Sequence, residues 1–397
     1  MTLLRSVVIV GGSLAGLRAA ETLRREGFDG RLSVIGRERH RPYDRPPLSK
    51  EVLSGRRAPE TISLRKPEAW EELEVDWRLG CRALSLDLER RAVRLEGDED
   101  VGFDGLVIAT GATPRTLPGT AGLAGIHVLR TLDDCLALRA ELERSPRVAV
   151  VGAGFIGAEV AATCREQGLH VTLLEALAAP LVRGIGPALG ALVAEVHRDH
   201  GVDVRCGVGV AGFEGKGRVD GVRLSDGSLV PAEVVVVGVG VVPETAWLEG
   251  SGLRLADGIL CDAACATLAE GVVAAGDIAR WAHPGYGQPI RLEHWTNAVE
   301  QGVAAAERLL TGAQGAKPFA PVPYVWSDQY DLKIQIAGLP RADCTLRIVD
   351  GTVGERRFVA LFERGSQLVA AVGFGRARQL MGYRMQIAEE LRRERTS

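Results

Sequence analysis

Two short glycine runs are the first residues in this chain that can do chemistry. Gly11-Gly12-Ser13-Leu14-Ala15-Gly16 and Gly152-Ala153-Gly154-Phe155-Ile156-Gly157 each follow an apolar, β-branched run and precede a helical pattern. Glycines at that spacing let the backbone turn tightly and bring helix N–H groups up to a pyrophosphate, an anion that the helix dipole also favours. The second run matches G-x-G-x-x-G throughout, whereas the first carries Ser13 where the middle glycine would stand. Each is followed by an acid near the end of the next apolar run: Glu38 after residues 32–35, and Glu175 after residues 171–174. A carboxylate there accepts from a ribose hydroxyl, and at Glu175 it would repel a 2′-phosphate, so NADH is the expected partner of the second site. One such run could be only a tight turn. Two of them, about 140 residues apart and each with its acid, predict two dinucleotides on one chain.

The elements that must position these loops are legible in the same way. Val7-Val8-Ile9-Val10 and Val148-Ala149-Val150-Val151 read as strands buried on both faces of a parallel sheet. Helices follow them to about Arg25 and Gly168. Further strands, 103–108 and 234–237, run into Ala109-Thr110-Gly111 and Gly238-Val239-Gly240. The run 272–275 is expected to stop at Gly276-Asp277 and start a helix. Asp277 would then be either an acceptor for ribose or ribitol hydroxyls or a plain N-cap.

Bulk composition excludes several classes. With 397 residues, 46% hydrophobic and 25% charged, the chain has material for two to three folded units. A net charge of −3 argues against nucleic acid or membrane as the partner of the whole molecule, although the segment from Phe319 onward is modestly basic. The apolar start is too short for a signal peptide, and no stretch is long enough to span a membrane. The seven cysteines never fall as C-x-x-C, so neither a disulfide framework nor a metal site is expected, and free thiols point to the cytoplasm.

Taken in order, the Gly11 run, Ala109-Thr110-Gly111, the Gly152 run and Gly276-Asp277 resemble the FAD-dependent pyridine nucleotide-disulfide oxidoreductase superfamily over nearly the whole chain. Within it, Arg41-Pro42-Tyr43-Asp44-Arg45-Pro46-Pro47-Leu48-Ser49-Lys50 is similar to the oxygenase-coupled NADH–ferredoxin reductases, as are Glu293-His294-Trp295-Thr296-Asn297-Ala298 and Trp326-Ser327-Asp328-Gln329. The resemblance implies an α/β fold: two Rossmann-like dinucleotide-binding domains of the glutathione-reductase kind and a C-terminal α+β domain. The FAD domain would comprise 1–110 and 241–318, split by an NAD domain at 111–240, with the C-terminal domain at 319–397. It implies FAD contacts from Gly11, Ser13, Leu14, Ala15, Gly16, Glu38, Arg45, Lys50, Ala83, Ala109, Thr110, Gly111, Arg130, Gly276, Asp277 and Trp295. NADH contacts would come from Gly152, Gly154, Phe155, Ile156, Gly157, Glu175 and Arg183. Lys50 and Glu159 would form an ion pair beside the flavin N5, and Trp326 would face the electron acceptor. From residue type alone, Lys50 reads equally as a solvated lysine at a helix start, Glu159 as a packing or dipole residue, and the tryptophans as core.

The superfamily's disulfide reductases carry redox cysteines near the flavin, but the stretch 42–50 here has none. Electrons are therefore expected to leave the flavin directly, for a one-electron acceptor. The resemblance implies a 2Fe-2S ferredoxin, and through it an oxygenase. Arg347, Arg356, Arg357, Arg364, Arg376 and Arg378 are candidates for a basic docking rim, or simply solvated. Two rival readings stand beside this one. The acceptor could be rubredoxin or oxygen, or the chain could be a flavin-binding interaction protein switched by NADH. A monomer is expected.

Overall fold

Both apolar runs that precede the glycines become the central strand of a parallel sheet, because a strand flanked by helices on two faces must be apolar on both. The computed structural model describes residues 4–120 and 122–394. In the first sheet the order is Val272–Ala274, Gly105–Ile108, Ser6–Val10, Arg31–Gly36, Val75–Leu79, all parallel. In the second it is Asp203–Cys206, His170–Glu175, Arg147–Val151, Val234–Val237, Ile126–His127, again all parallel. Four consecutive valines, Val234–Val237, are buried. Each such side chain contributes on the order of 1.5 kcal/mol by leaving water.

Among the described residues six α-helices cover these sheets and a third one. They are α1 (Leu14–Arg25), α2 (Leu132–Leu142), α3 (Phe155–Glu166), α4 (Val182–Asp199), α5 (Trp295–Thr311) and α6 (Ala377–Glu394). The helices α1 and α3 leave the central strands through the two glycine runs, so both loops lie at the carboxyl edge of their sheets, where strand order reverses. The third sheet is antiparallel, in the order Tyr324–Gln329, Leu332–Gly338, Gln367–Phe374, Arg357–Arg364, Thr345–Thr352. Helix α6 packs on it through Leu380, Ile387 and Leu391. Its edge strand Tyr324–Gln329 lies against α3 and α5.

One expectation fails. No helix starts at Gly276-Asp277: residues Gly276–Ile278 make a single 3-10 turn, and strand Ala279–Ala282 follows at once, pairing in parallel with Ile259–Cys261. Burial alternates along that strand, with Trp281 wholly inside. That two-residue period outweighs the capping preference of Asp277. The returning helix, α5, begins only at Trp295.

Candidate active site

The two glycine loops open on one cavity of about 930 Å³. Gly16 and Gly157 let each helix start against its own loop. A β-carbon on Gly16 would stand 2.0 Å from the Gly11 carbonyl oxygen, and one on Gly157 would stand 1.9 Å from that of Gly152. Gly154 faces open space, with nothing within 4 Å of where its β-carbon would be. A pyrophosphate could therefore reach the N-terminus of α3 unobstructed. Ser13 does not cap α1 with its side chain; its hydroxyl accepts instead from the Arg45 guanidinium, at 3.3 Å from both Nε and Nη2.

Around the first loop the charged side chains hold one another in place. Arg45 Nη2 donates to Glu38 at 2.5 Å, Arg45 Nη1 to the Arg130 carbonyl at 2.6 Å, and the Tyr43 hydroxyl to Glu38. Burial would raise the Glu38 carboxyl, but Arg45, the Tyr43 hydroxyl and Arg130 together hold it below the usual carboxylate range. Arg130 sits just ahead of α2, where Thr131 and Asp134 form a reciprocal capping box, and it pairs with Asp277 at 2.8 Å. Glu175 accepts from the Ala153 N–H at 2.7 Å and the Leu177 N–H at 2.8 Å. The acid is thereby fixed to the second glycine loop itself.

Lys50 and Glu159 meet. Lys50 ends the 3-10 turn Pro46–Ser49 and donates to Glu159 Oε2 at 2.8 Å, with side chains 13% and 5% exposed respectively. Ser49 Oγ donates to the same oxygen at 2.5 Å, while Ser327 Oγ and the Asp328 N–H reach Glu159 Oε1 at 2.9 and 3.1 Å. Four donors thus saturate a buried carboxylate, as burial of such a group requires. Trp326 comes from the same strand as Ser327, with its ring 6.1 Å from Trp295 and 6.2 Å from Tyr324. Trp295 Nε1 donates to Asp44 at 2.8 Å.

Every residue singled out in the sequence for cofactor or catalysis lines this cavity except Gly16, which packs behind its loop. That includes Ala83, Ala109, Thr110, Gly111, Gly276, Phe155, Ile156 and the exposed Arg183. Sequence reading missed Ser49 and Ser327, and also His294. His294 faces the cavity from the N-terminus of α5 with its Nδ1 lacking a protein partner. Burial lowers its imidazole to about 4, the nearby Asp277 opposing only in part, so a neutral ring is offered to the cavity. An unpartnered nitrogen, an open glycine cradle and preset acids are what a large polar cofactor such as FAD would complete.

Two further sets of residues take little or no part in lining the cavity. None of the six arginines proposed as a docking rim lines the cavity, and Arg347, Arg356 and Arg376 are paired with Glu363, Asp199 and Asp350. The cysteines form no relay: all seven are unpaired and only Cys81 lines the cavity. Burial pushes Cys164 and Cys265 up to about 12, and Cys135 up to about 11, leaving them protonated thiols. Among the described residues no cluster could hold a metal ion, and no helix is long and apolar enough to cross a membrane.

Fold and site together define a flavin- and nicotinamide-dependent oxidoreductase. The chain belongs to the pyridine nucleotide-disulphide oxidoreductase family, whose model matches residues 5–302, and the reductase C-terminal model matches 324–397. It is 35% identical to rhodocoxin reductase of Rhodococcus erythropolis, over 97% of this chain and 90% of that one. It is 36% identical to the ferredoxin–NAD(+) reductase component of the Paraburkholderia xenovorans biphenyl dioxygenase system, over 97% and 95%. Putidaredoxin reductase, in a crystal structure of its covalent complex with putidaredoxin, superposes with a TM-score of 0.92 at 32% identity, covering 97% and 93% of the two chains.

Proposed function

We propose that this chain is an NADH-dependent ferredoxin reductase that holds FAD and delivers single electrons to a 2Fe-2S ferredoxin serving an oxygenase. The observation that carries this reading is the convergence of both glycine loops, the Lys50–Glu159 pair and Trp326 on one cavity that has no thiol pair. The names of the relatives favour a ferredoxin over rubredoxin or oxygen as acceptor. FAD, when bound, supplies the conversion of a two-electron donor into one-electron steps.

The chain's own residues divide the work. The N-terminus of α1, reached through Gly11, Ser13, Leu14, Ala15 and Gly16, would hold the FAD pyrophosphate, while Glu38, steadied by Arg45, would take ribose hydroxyls. Asp277 with Arg130 would bind the ribitol side, and Ala83, Ala109, Thr110, Gly111, Gly276 and Trp295 would line the rest. The second cofactor would rest on α3 through Gly152, Gly154, Phe155, Ile156 and Gly157. Glu175 would accept from its ribose, and Arg183 would flank it. Lys50, neutralised by Glu159, would give the flavin a fixed partner where hydride arrives, and Trp326 would stand on the acceptor side. As working units we assign 1–110 with 241–318 to FAD, 111–240 to NAD and 319–397 to the C-terminal domain. The first sheet draws strands from both FAD segments. Seven unpaired cysteines fit a cytoplasmic setting.

The test is NADH-driven cytochrome c reduction with purified, FAD-loaded protein. Turnover that depends on added 2Fe-2S ferredoxin supports the proposal. Turnover equally well served by rubredoxin, or independent of any iron–sulfur protein, contradicts it.

A further inference from the structure

The Lys50–Glu159 pair is the near end of a longer buried line. Gln329 Nε2 lies 3.1 Å from Ser327 Oγ, His197 Nε2 lies 3.1 Å from Gln329 Oε1, and His197 Nδ1 lies 2.9 Å from the Tyr330 hydroxyl. Ser327, Gln329 and His197 are completely inaccessible to solvent. The line joins three separate parts of the fold: Glu159 on α3, His197 on α4, and strand Tyr324–Gln329 of the C-terminal sheet.

Hydrogen-bond chemistry fixes the sense of every link. A carboxylate already bound by Lys50 and Ser49 only accepts, so Ser327 spends its one hydrogen on Glu159 and must accept from the Gln329 amide N–H. The amide oxygen then faces His197, which must carry its proton on Nε2, and Nδ1 is left to accept from Tyr330. A neutral ring is what this tautomer requires, and burial keeps His197 neutral by lowering it to about 4. All four donors therefore point towards Glu159, an arrangement in which each bond polarises the next.

We propose that Gln329 and His197 are positioning residues for hydride transfer. They hold Ser327 as a donor to Glu159, and so fix where Glu159 holds the Lys50 ammonium in the wall of the cofactor cavity. Neither residue lines that cavity. Their loss should thus slow the chemical step without weakening the nucleotide. The inference rests on the role given above to Lys50 and Glu159. Leucine at 329 would leave Ser327 free to turn away, leucine at 197 would release Gln329 and through it Ser327, and in either case Glu159 would lose one of four donors.

The experiment uses FAD-loaded protein and anaerobic stopped-flow reduction by NADH. It separates the limiting rate of flavin bleaching from the NADH dissociation constant, and the flavin midpoint potential is measured alongside. His197→Leu and Gln329→Leu should lower the limiting rate by on the order of tenfold, with the dissociation constant within about twofold of wild type. His197→Gln places an amide N–H close to the position of Nε2–H and should recover most of the rate. Wild-type limiting rates and potentials in both leucine variants overturn the proposal, as does a loss confined to NADH affinity. Where a leucine variant fails to retain FAD, Ser327→Ala removes only the donor to Glu159 and must show the same slow reduction. Lys50→Met separates the two levels. A slow Lys50→Met beside unimpaired leucine variants sinks this inference alone, whereas an unimpaired Lys50→Met sinks the reading of the ion pair itself.

Discussion

Single residues carry most of the chemistry, and they were legible to very different degrees. Glu175 is visible because it ends a strand at a fixed distance from a glycine run. Its two backbone donors, Ala153 and Leu177, show that it also braces the loop. Replacing it therefore tests specificity most cleanly where the bond to the glycine loop survives, and Glu175→Gln can keep the bond from Ala153 through its amide oxygen while giving up the one from Leu177. That variant should narrow the kcat/KM preference for NADH over NADPH by on the order of tenfold in steady-state assays. An unchanged ratio would remove Glu175 from specificity. Of the partners of Glu159 only Lys50 was expected, through the family resemblance; Ser49 and Ser327, 110 and 168 residues away, were given no role. A serine in a short turn, or a serine or glutamine in a strand, gives no local signal. His197 carries a pH consequence. Its imidazole titrates at about 4 in the fold against 6.5 when unfolded. The unfolded chain thus binds the extra proton between those values, and stability is lost as pH falls from about 6.5 towards 4. At pH 5 the loss from this one group is about 2 kcal/mol. Urea denaturation at pH 7 and pH 5 should show a smaller drop for His197→Gln than for wild type.

Elements with a repeating physical rule were readable, and those set by distant pairing were not. The two strand–glycine–helix units stand where expected, since four apolar residues followed by glycines allow little else. The turn at Gly276 misled, because its N–H is satisfied by the Gln301 side chain from α5 rather than by a helix of its own. The independence of the two units gives a prediction at this scale. In Gly157→Val the new side chain collides with the Gly152 carbonyl, so the start of α3 must shift. FAD content should stay near wild type, while the NADH dissociation constant rises by on the order of tenfold. Loss of FAD with unchanged NADH binding would mean the two loops had been assigned the wrong way round.

At the scale of the whole molecule, function depends on three sheets meeting at one cavity, and the C-terminal sheet contributes more than Trp326. Its edge strand supplies Ser327 and the Asp328 N–H to a carboxylate on α3, so the third sheet is tied to the site by buried polar bonds. Resemblance to a known family made this architecture legible; composition alone would not have. Charge counting at the C-terminus says less, because three of the candidate arginines already have acids: Arg347 meets Glu363 on the neighbouring strand, Arg356 meets Asp199 at the end of α4, and Arg376 meets Asp350. Arg347→Ala should accordingly leave the kcat/KM for ferredoxin within about twofold of wild type, Arg347 being an exposed side chain already paired with the half-buried Glu363. The most direct test of the whole account is an anaerobic titration of the FAD-loaded protein with NADH, followed by oxidised 2Fe-2S ferredoxin, with the flavin absorbance recorded throughout. The flavin bands should bleach with NADH and return as ferredoxin is added. Bleaching that reverses only when oxygen is admitted would contradict the ferredoxin reductase assignment.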